Sequence, residues 1–183
     1  MSGQTPSQTV GPFFAYGLTP EAYGYESIAG PDLTRSGTNG DVMKIRGRML
    51  DGEGQGVPDA MIEIWQADGD GVYGSQVFPG FGRSPTADDG SFEFTTIKPG
   101  QVSGRGNSLQ APHITVAIFA RGMLNHAFTR IYFADEMEAN AIDQILQSVP
   151  EDRQATLISR RDDDGYRFDI HLQGDQETVF FDA

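Results

Sequence analysis

Cysteine is absent from this 183-residue chain, which removes disulfides and thiolate chemistry together. Positive charge is scarce: 13 Lys and Arg stand against 26 Asp and Glu, for a formal net charge of −13. Phosphate backbones and anionic lipids repel so acidic a chain, so neither nucleic acid nor a membrane is an expected partner. An anionic small molecule meets the same field and needs a local Arg or Lys to bind. No apolar run is long enough to span a bilayer and no signal-peptide pattern is seen, so a cytoplasmic location is the default expectation. Tryptophan occurs once and hydrophobic residues reach only 38%. Twelve Phe and six Tyr compensate, because aromatics bury the most surface each. The length suffices for one domain with a sizeable core. The 23 Gly and 10 Pro imply many turns, as in a chain of short strands.

Residues 1–40 mix Gly, Pro, Ser and Thr with Phe13, Phe14, Tyr16, Tyr23 and Tyr25. No strand or helix pattern runs through them, so an irregular N-terminal arm is expected. So many aromatics are unusual in a disordered tail, and the arm is expected to pack on a partner subunit. Residues 41–183 read as one all-β domain, a β-sandwich of mixed and antiparallel strands. Met43, Ile45 and Met49 alternate with Lys44, Arg46 and Arg48. Ala60, Ile62 and Ile64 alternate with Met61, Glu63 and Trp65, and Phe92 and Phe94 share a face after the Asp88-Asp89-Gly90 turn. His113 to Phe119 reads as a buried strand, with Thr129 to Phe133 as its neighbour. Tyr166, Phe168, Ile170 and Leu172 alternate with Arg167, Asp169 and His171 as one half-exposed strand, and Val179 to Phe181 forms a short last one. A helical insertion covers about 136–161. Glu136 to Leu146 has helical spacing with acids first. Ser148-Val149-Pro150-Glu151-Asp152 opens a second helix, with Ser148 or Val149 near its cap and Arg160 and Arg161 at its C-terminus.

Two ring-bearing residues point to chemistry. Tyr73 follows a Gly-rich turn after the Trp65 strand, and His113 opens the buried strand. Residues i and i+2 of a strand face the same way, so a His-x-His pair there would offer two imidazoles to one metal ion. Thr115 takes the second position, and a neutral hydroxyl is a poor ligand beside imidazole or phenolate. Taken singly, each has a plainer explanation: a rim aromatic for Tyr73, a hydrogen-bonded structural imidazole for His113.

The flanking segments change that balance. They are Asp51-Gly52-Glu53-Gly54-Gln55-Gly56-Val57-Pro58-Asp59-Ala60, Glu63-Ile64-Trp65-Gln66-Ala67-Asp68, Gly82-Arg83, Thr96-Ile97-Lys98-Pro99-Gly100 and Ala111-Pro112-His113-Ile114. Together they resemble the intradiol ring-cleaving dioxygenases, from about residue 5 to the C-terminus. Thr5 to Pro12, Phe119-Ala120-Arg121-Gly122 and the tail Gln173 to Asp182 are similar, more narrowly, to the non-catalytic chains of its two-subunit members.

In the catalytic chains, the resemblance implies, two tyrosines and two histidines hold non-haem Fe(III). Tyr73 and His113 match one of each. Val102 takes the second tyrosine's place and Thr115 the second histidine's, while Gln110 replaces a substrate-contacting arginine. Tyr73 and His113 are then remnants, this chain holds no metal and no catalytic residue, and Fe(III) resides on a catalytic β subunit. The implied assembly is of αβ protomers that associate further, and the implied substrate is protocatechuate, a catechol with a ring carboxylate. Arg121 matches an arginine near the substrate entry, where a guanidinium suits a carboxylate. Thr9, Gly11 and Pro12 match an arm segment lining the same cleft. The alternative is a stand-alone sandwich that only binds other proteins; Val102 and Thr115 argue against a self-sufficient enzyme.

Overall fold

The computed structural model describes residues 12–182. Helix α1 (Pro12–Leu18) comes first. Strands β1 (Val42–Leu50), β2 (Met61–Gln66), β3 (Phe81–Pro85), β4 (Ser91–Ile97), β5 (Val102–Ser103), β6 (Leu109–Gln110), β7 (His113–Phe119) and β8 (Ala127–Phe133) follow. Then come α2 (Met137–Ile142), α3 (Gln144–Gln147) and α4 (Glu151–Gln154), and finally β9 (Ile158–Asp162), β10 (Gly165–Arg167) and β11 (Ile170–His171).

Alternation decides which way each strand faces. On β1, Met43, Ile45 and Met49 turn inward while Lys44, Arg46 and Arg48 turn out. The outward row meets Glu93 of β4 at 2.9 Å from Lys44 and 2.7 Å from Arg46. β1 pairs antiparallel with β4 and parallel with β10 and β11. β7 pairs antiparallel with β2 and β8, and β3 lies on the other side of β2. β9 belongs to both halves. Its Ile158 and Ser159 run parallel to Tyr132 and Phe133, and Arg160 to Asp162 run antiparallel to β10. The sheet therefore curls until its inner faces pack on each other. Met43, Ile45, Phe92 and Phe94 meet Ile62, Ile64, Val116 and Phe133 there. The expected all-β sandwich of mixed and antiparallel strands is the fold that forms.

Several expected elements change in detail. The run from Tyr166 to Leu172 splits into β10 and β11, because the Asp169 carboxylate accepts from the Arg48 N–H of β1 at 2.9 Å in place of a ladder carbonyl. Val179 to Phe181 forms no strand; Phe181 makes only an isolated bridge to Phe128. The insertion breaks into three short helices. Ser148 closes α3 and Pro150 itself caps α4. Arg160 and Arg161 lie on β9 rather than on a helix, since the buried Ser159 draws the chain into the sheet. The helices pack Leu146, Val149 and Leu157 with Tyr132 in a second apolar cluster.

The arm is not wholly irregular. Besides α1 it has a 3-10 turn at Pro20–Tyr23, ended by Gly24 at a φ of 79°. Leu33 enters the core, and its N–H donates to the Thr95 carbonyl at 2.9 Å. No helix among the described residues is long and apolar enough to cross a membrane.

Candidate functional site

Asp68 builds the loop that carries Tyr73. Its Oδ1 accepts from the N–H groups of Asp70 and Val72 at 3.0 and 2.9 Å. The Gly100 N–H donates to the Asp68 carbonyl at 2.8 Å, pressing this loop on the segment before β5. Gly71 has a φ of 79° and lies so near the Gln101 carbonyl that a β-carbon would overlap it. Tyr73 is thereby laid over Trp65, with ring centroids 5.9 Å apart and planes within 8°. On the facing side, His113 Nδ1–H donates to the Ala111 carbonyl at 2.7 Å. That bond places the lone pair on Nε2, which lies 3.4 Å from the Tyr73 hydroxyl.

The outward faces of β2, β7 and β8 supply the surroundings. Thr115 stands between Trp65 and Arg130 across the two ladders, and Val102 pairs with Gln110. Arg130 Nη1 donates to Gln110 Oε1 at 2.7 Å and lies 3.4 Å from the Tyr132 hydroxyl. Tyr132 donates in turn to Asp143 Oδ1 at 3.1 Å. The buried Asp143 also accepts from the N–H groups of Ala111, Ile145 and Leu146, at 2.8, 2.9 and 2.8 Å. One line of contacts thus joins Tyr73, Val102, Gln110, His113 and Thr115.

Burial governs protonation here. It drives the His113 pKa down to about 4, aided by the charge of Arg130 and opposed by the Ala111 carbonyl and Asp143. Burial raises the Tyr73 phenol, and Arg130 only partly offsets it. At neutral pH the pair is therefore a neutral imidazole and a protonated phenol.

The Fe(III) of the family does not fit this set. The Tyr73 proton and the Nε2 lone pair face each other. Val102 is buried and carries no donor atom, and Thr115 offers only a hydroxyl. The nearby charges are the Arg130 guanidinium and the Asp143 carboxylate, whose oxygens are already taken up by Ala111, Tyr132, Ile145 and Leu146. Among the described residues, no group of three His, Cys, Asp or Glu is placed to hold a metal ion.

The family described as Dioxygenase (Dioxygenase_C) matches residues 19–174. The protocatechuate 3,4-dioxygenase alpha chain of Burkholderia cepacia is 45% identical, over 98% of this chain and 98% of that one. The chain belongs to the intradiol dioxygenase family. The protocatechuate 3,4-dioxygenase beta chain of Burkholderia cepacia is 33% identical, over 85% of this chain and 77% of that one. Among solved structures, the dioxygenase domain of a dioxygenase carbohydrate-binding protein fusion from Streptomyces sp. SirexAA-E superposes with a TM-score of 0.63. That match is 26% identical and covers 97% of this chain and 100% of that one.

In this intradiol dioxygenase chain the segments that carry the resemblance are largely scaffold. Glu63 holds Arg83 at 2.7 Å. The buried Gln66 accepts from Thr96 at 2.8 Å and donates to the Ile97 carbonyl at 2.9 Å, tying β2 to β4. Lys98 sits between Asp135 at 3.0 Å and Glu136 at 3.1 Å.

Arg121 is not part of this cluster. It is exposed beyond the opposite end of β7, and the strand's length of roughly 20 Å separates it from His113. Thr9 and Gly11 lie outside the described residues, and Pro12 is the first residue of α1. Sequence reasoning missed Arg130, Tyr132 and Asp143. The first two share the outward face of an expected strand, but nothing in the sequence says what they face.

Proposed function

We propose that this chain is the alpha subunit of a protocatechuate 3,4-dioxygenase and holds no iron itself. A beta partner carries non-haem Fe(III) and opens the ring of 3,4-dihydroxybenzoate between its hydroxyl-bearing carbons. Both atoms of O2 enter the product, 3-carboxy-cis,cis-muconate. The alpha chain forms scaffold and the outer wall of the cleft, in αβ protomers that assemble further in the cytoplasm. The observation that carries this reading is the altered site, where Tyr73 and His113 remain in contact but Val102 and Thr115 cannot complete a coordination shell. Exposed Tyr16, Tyr23 and Tyr25 on the arm support a partner surface, since aromatic patches of that kind are normally covered.

The full chain purified alone is expected to bind no stoichiometric ferric iron and to show no phenolate-to-iron absorption band. A band accompanied by about one iron per chain would refute the reading, because a closed site needs its full ligand set.

Within this reading, Arg121 with Thr9, Gly11 and Pro12 lines the substrate entry. Arg121→Ala in the reconstituted enzyme is expected to lower kcat/KM for protocatechuate about threefold to tenfold, at the low end for an exposed charge. A catechol without the carboxylate should be spared, and the salt dependence should weaken. Equal losses for both substrates would make Arg121 structural.

A further inference from the structure

We propose that Asn39 is a site of spontaneous deamidation, held back by Asp70, and that its conversion loosens the loop that carries Tyr73. The inference stands apart from the iron chemistry and from the assembly. Of the four asparagines only Asn39 is followed by glycine; Ser108, His126 and Ala141 follow the others. A glycine nitrogen has no side chain beside it to hinder attack on the preceding amide. Asn39 and Gly40 are both exposed, and the Gly40 N–H has no acceptor among the described residues. Its nitrogen adds to Cγ of Asn39, the bond from Cγ to Nδ2 breaks, and ammonia leaves with the glycine proton. Water then opens the resulting succinimide to aspartate or isoaspartate, the reaction behind the thermal lability of asparagine. The fold cannot escape this at position 40. Gly40 has a φ of 131°, and a β-carbon there would lie 3.1 Å from the Ile97 side chain.

Asp70 restrains the reaction. Asn39 Nδ2 donates to Asp70 Oδ2 at 2.6 Å, a charge-assisted bond that pins the side chain which must rotate to close the ring. The same contact fastens the loop. The Gly69 N–H donates to the Asn39 carbonyl at 3.0 Å, and Asp68 holds Asp70 and Val72 just before Tyr73. Conversion replaces the donor at position 39 by a carboxylate that repels Asp70. Isoaspartate also adds a carbon to the main chain and displaces the carbonyl that Gly69 needs.

The test has two arms, both on the full chain. In mildly alkaline buffer, mass spectrometry of peptides from the unaltered chain should show Asn39 converting ahead of the other three asparagines. Asp70→Ser should speed that conversion about twofold to fivefold, the worth of an exposed pair. Conversion of Asn39 no faster than elsewhere overturns the proposal, and so does an unchanged rate in the serine variant. In the second arm Asn39→Asp stands for the product, and hydrogen exchange at the Gly69 N–H reads the loop. Exchange should quicken about twofold to fivefold and fall back toward the parent when Asp70→Ser removes the facing charge. Unchanged exchange in Asn39→Asp overturns the claim that conversion loosens the loop. Equal exchange with and without Asp70→Ser overturns the role given to Asp70. The first arm needs no substitution at position 39, so it decides the site even if Asn39→Asp folds poorly.

Discussion

Asp143→Ala is expected to destabilise the fold by about 3–5 kcal/mol, the range for removing a buried group that several donors share. Its carboxyl group receives three backbone N–H groups and the Tyr132 hydroxyl, at 2.8 to 3.1 Å. Two of the N–H groups start α3, so the same side chain caps a helix and fastens it to Ala111, just ahead of the strand that carries His113, and to Tyr132 of β8. Alanine leaves these donors buried with nothing to accept them. Asp143→Asn keeps one acceptor oxygen but turns an amide NH2 toward donors, and about half of the loss is expected. Denaturant unfolding of each variant measures this. A loss under ~1 kcal/mol for the alanine variant would mean that the insertion is held by its apolar cluster alone.

Acid should weaken the chain through His113 before the carboxylates titrate. Folded, His113 takes its proton near pH 4; unfolded, near 6.5. Between these values the unfolded state binds more protons, so stability rises with pH across that window. The contribution of neutral His113 is complete above pH 6.5 and is lost as the pH falls toward 4. Its full span is at most roughly 3 kcal/mol. His113→Gln, which cannot titrate, should flatten the slope between pH 6.5 and 4.5 in unfolding experiments. Glu93 and Asp135, whose pKa values are lowered in the fold, act at lower pH and are common to both proteins, so they cancel in the comparison. An unchanged slope would mean that another group carries the acid sensitivity.

The strands were legible because their inward rows are apolar and their outward rows are not. Met43, Ile45 and Met49 declare one face of β1, and Lys44, Arg46 and Arg48 declare the other. The break after Arg167 was hidden, since a side-chain carboxylate that replaces a ladder acceptor leaves the alternation intact. Arg160 and Arg161 imitate the last turn of a helix, where cations are favoured, but buried Leu157 and Ser159 on either side of Ile158 already bring the chain to the sheet. Tyr73 and His113 stand 40 positions apart, and no spacing rule brings them together. Only the likeness of the surrounding segments to a known family did so. Arg130 carried no sequence signal. Its meaning lies in its register opposite Thr115, which pairing sets and composition does not.

The tie from Gln66 to Ile97 and Thr96, and the grip of Lys98 on Asp135 and Glu136, bear on how ring-cleaving capacity is inventoried across genomes. These residues make the chain recognisable, yet they hold strands together and would be retained for folding after the chemistry had passed to another polypeptide. Under the proposed reading, positions 102 and 115 are by contrast the ones that separate a chain able to close a coordination shell from one that is not. A tally built on the scaffold residues would credit a two-chain enzyme of this kind with two catalysts. A tally built on positions 102 and 115 would leave this chain out.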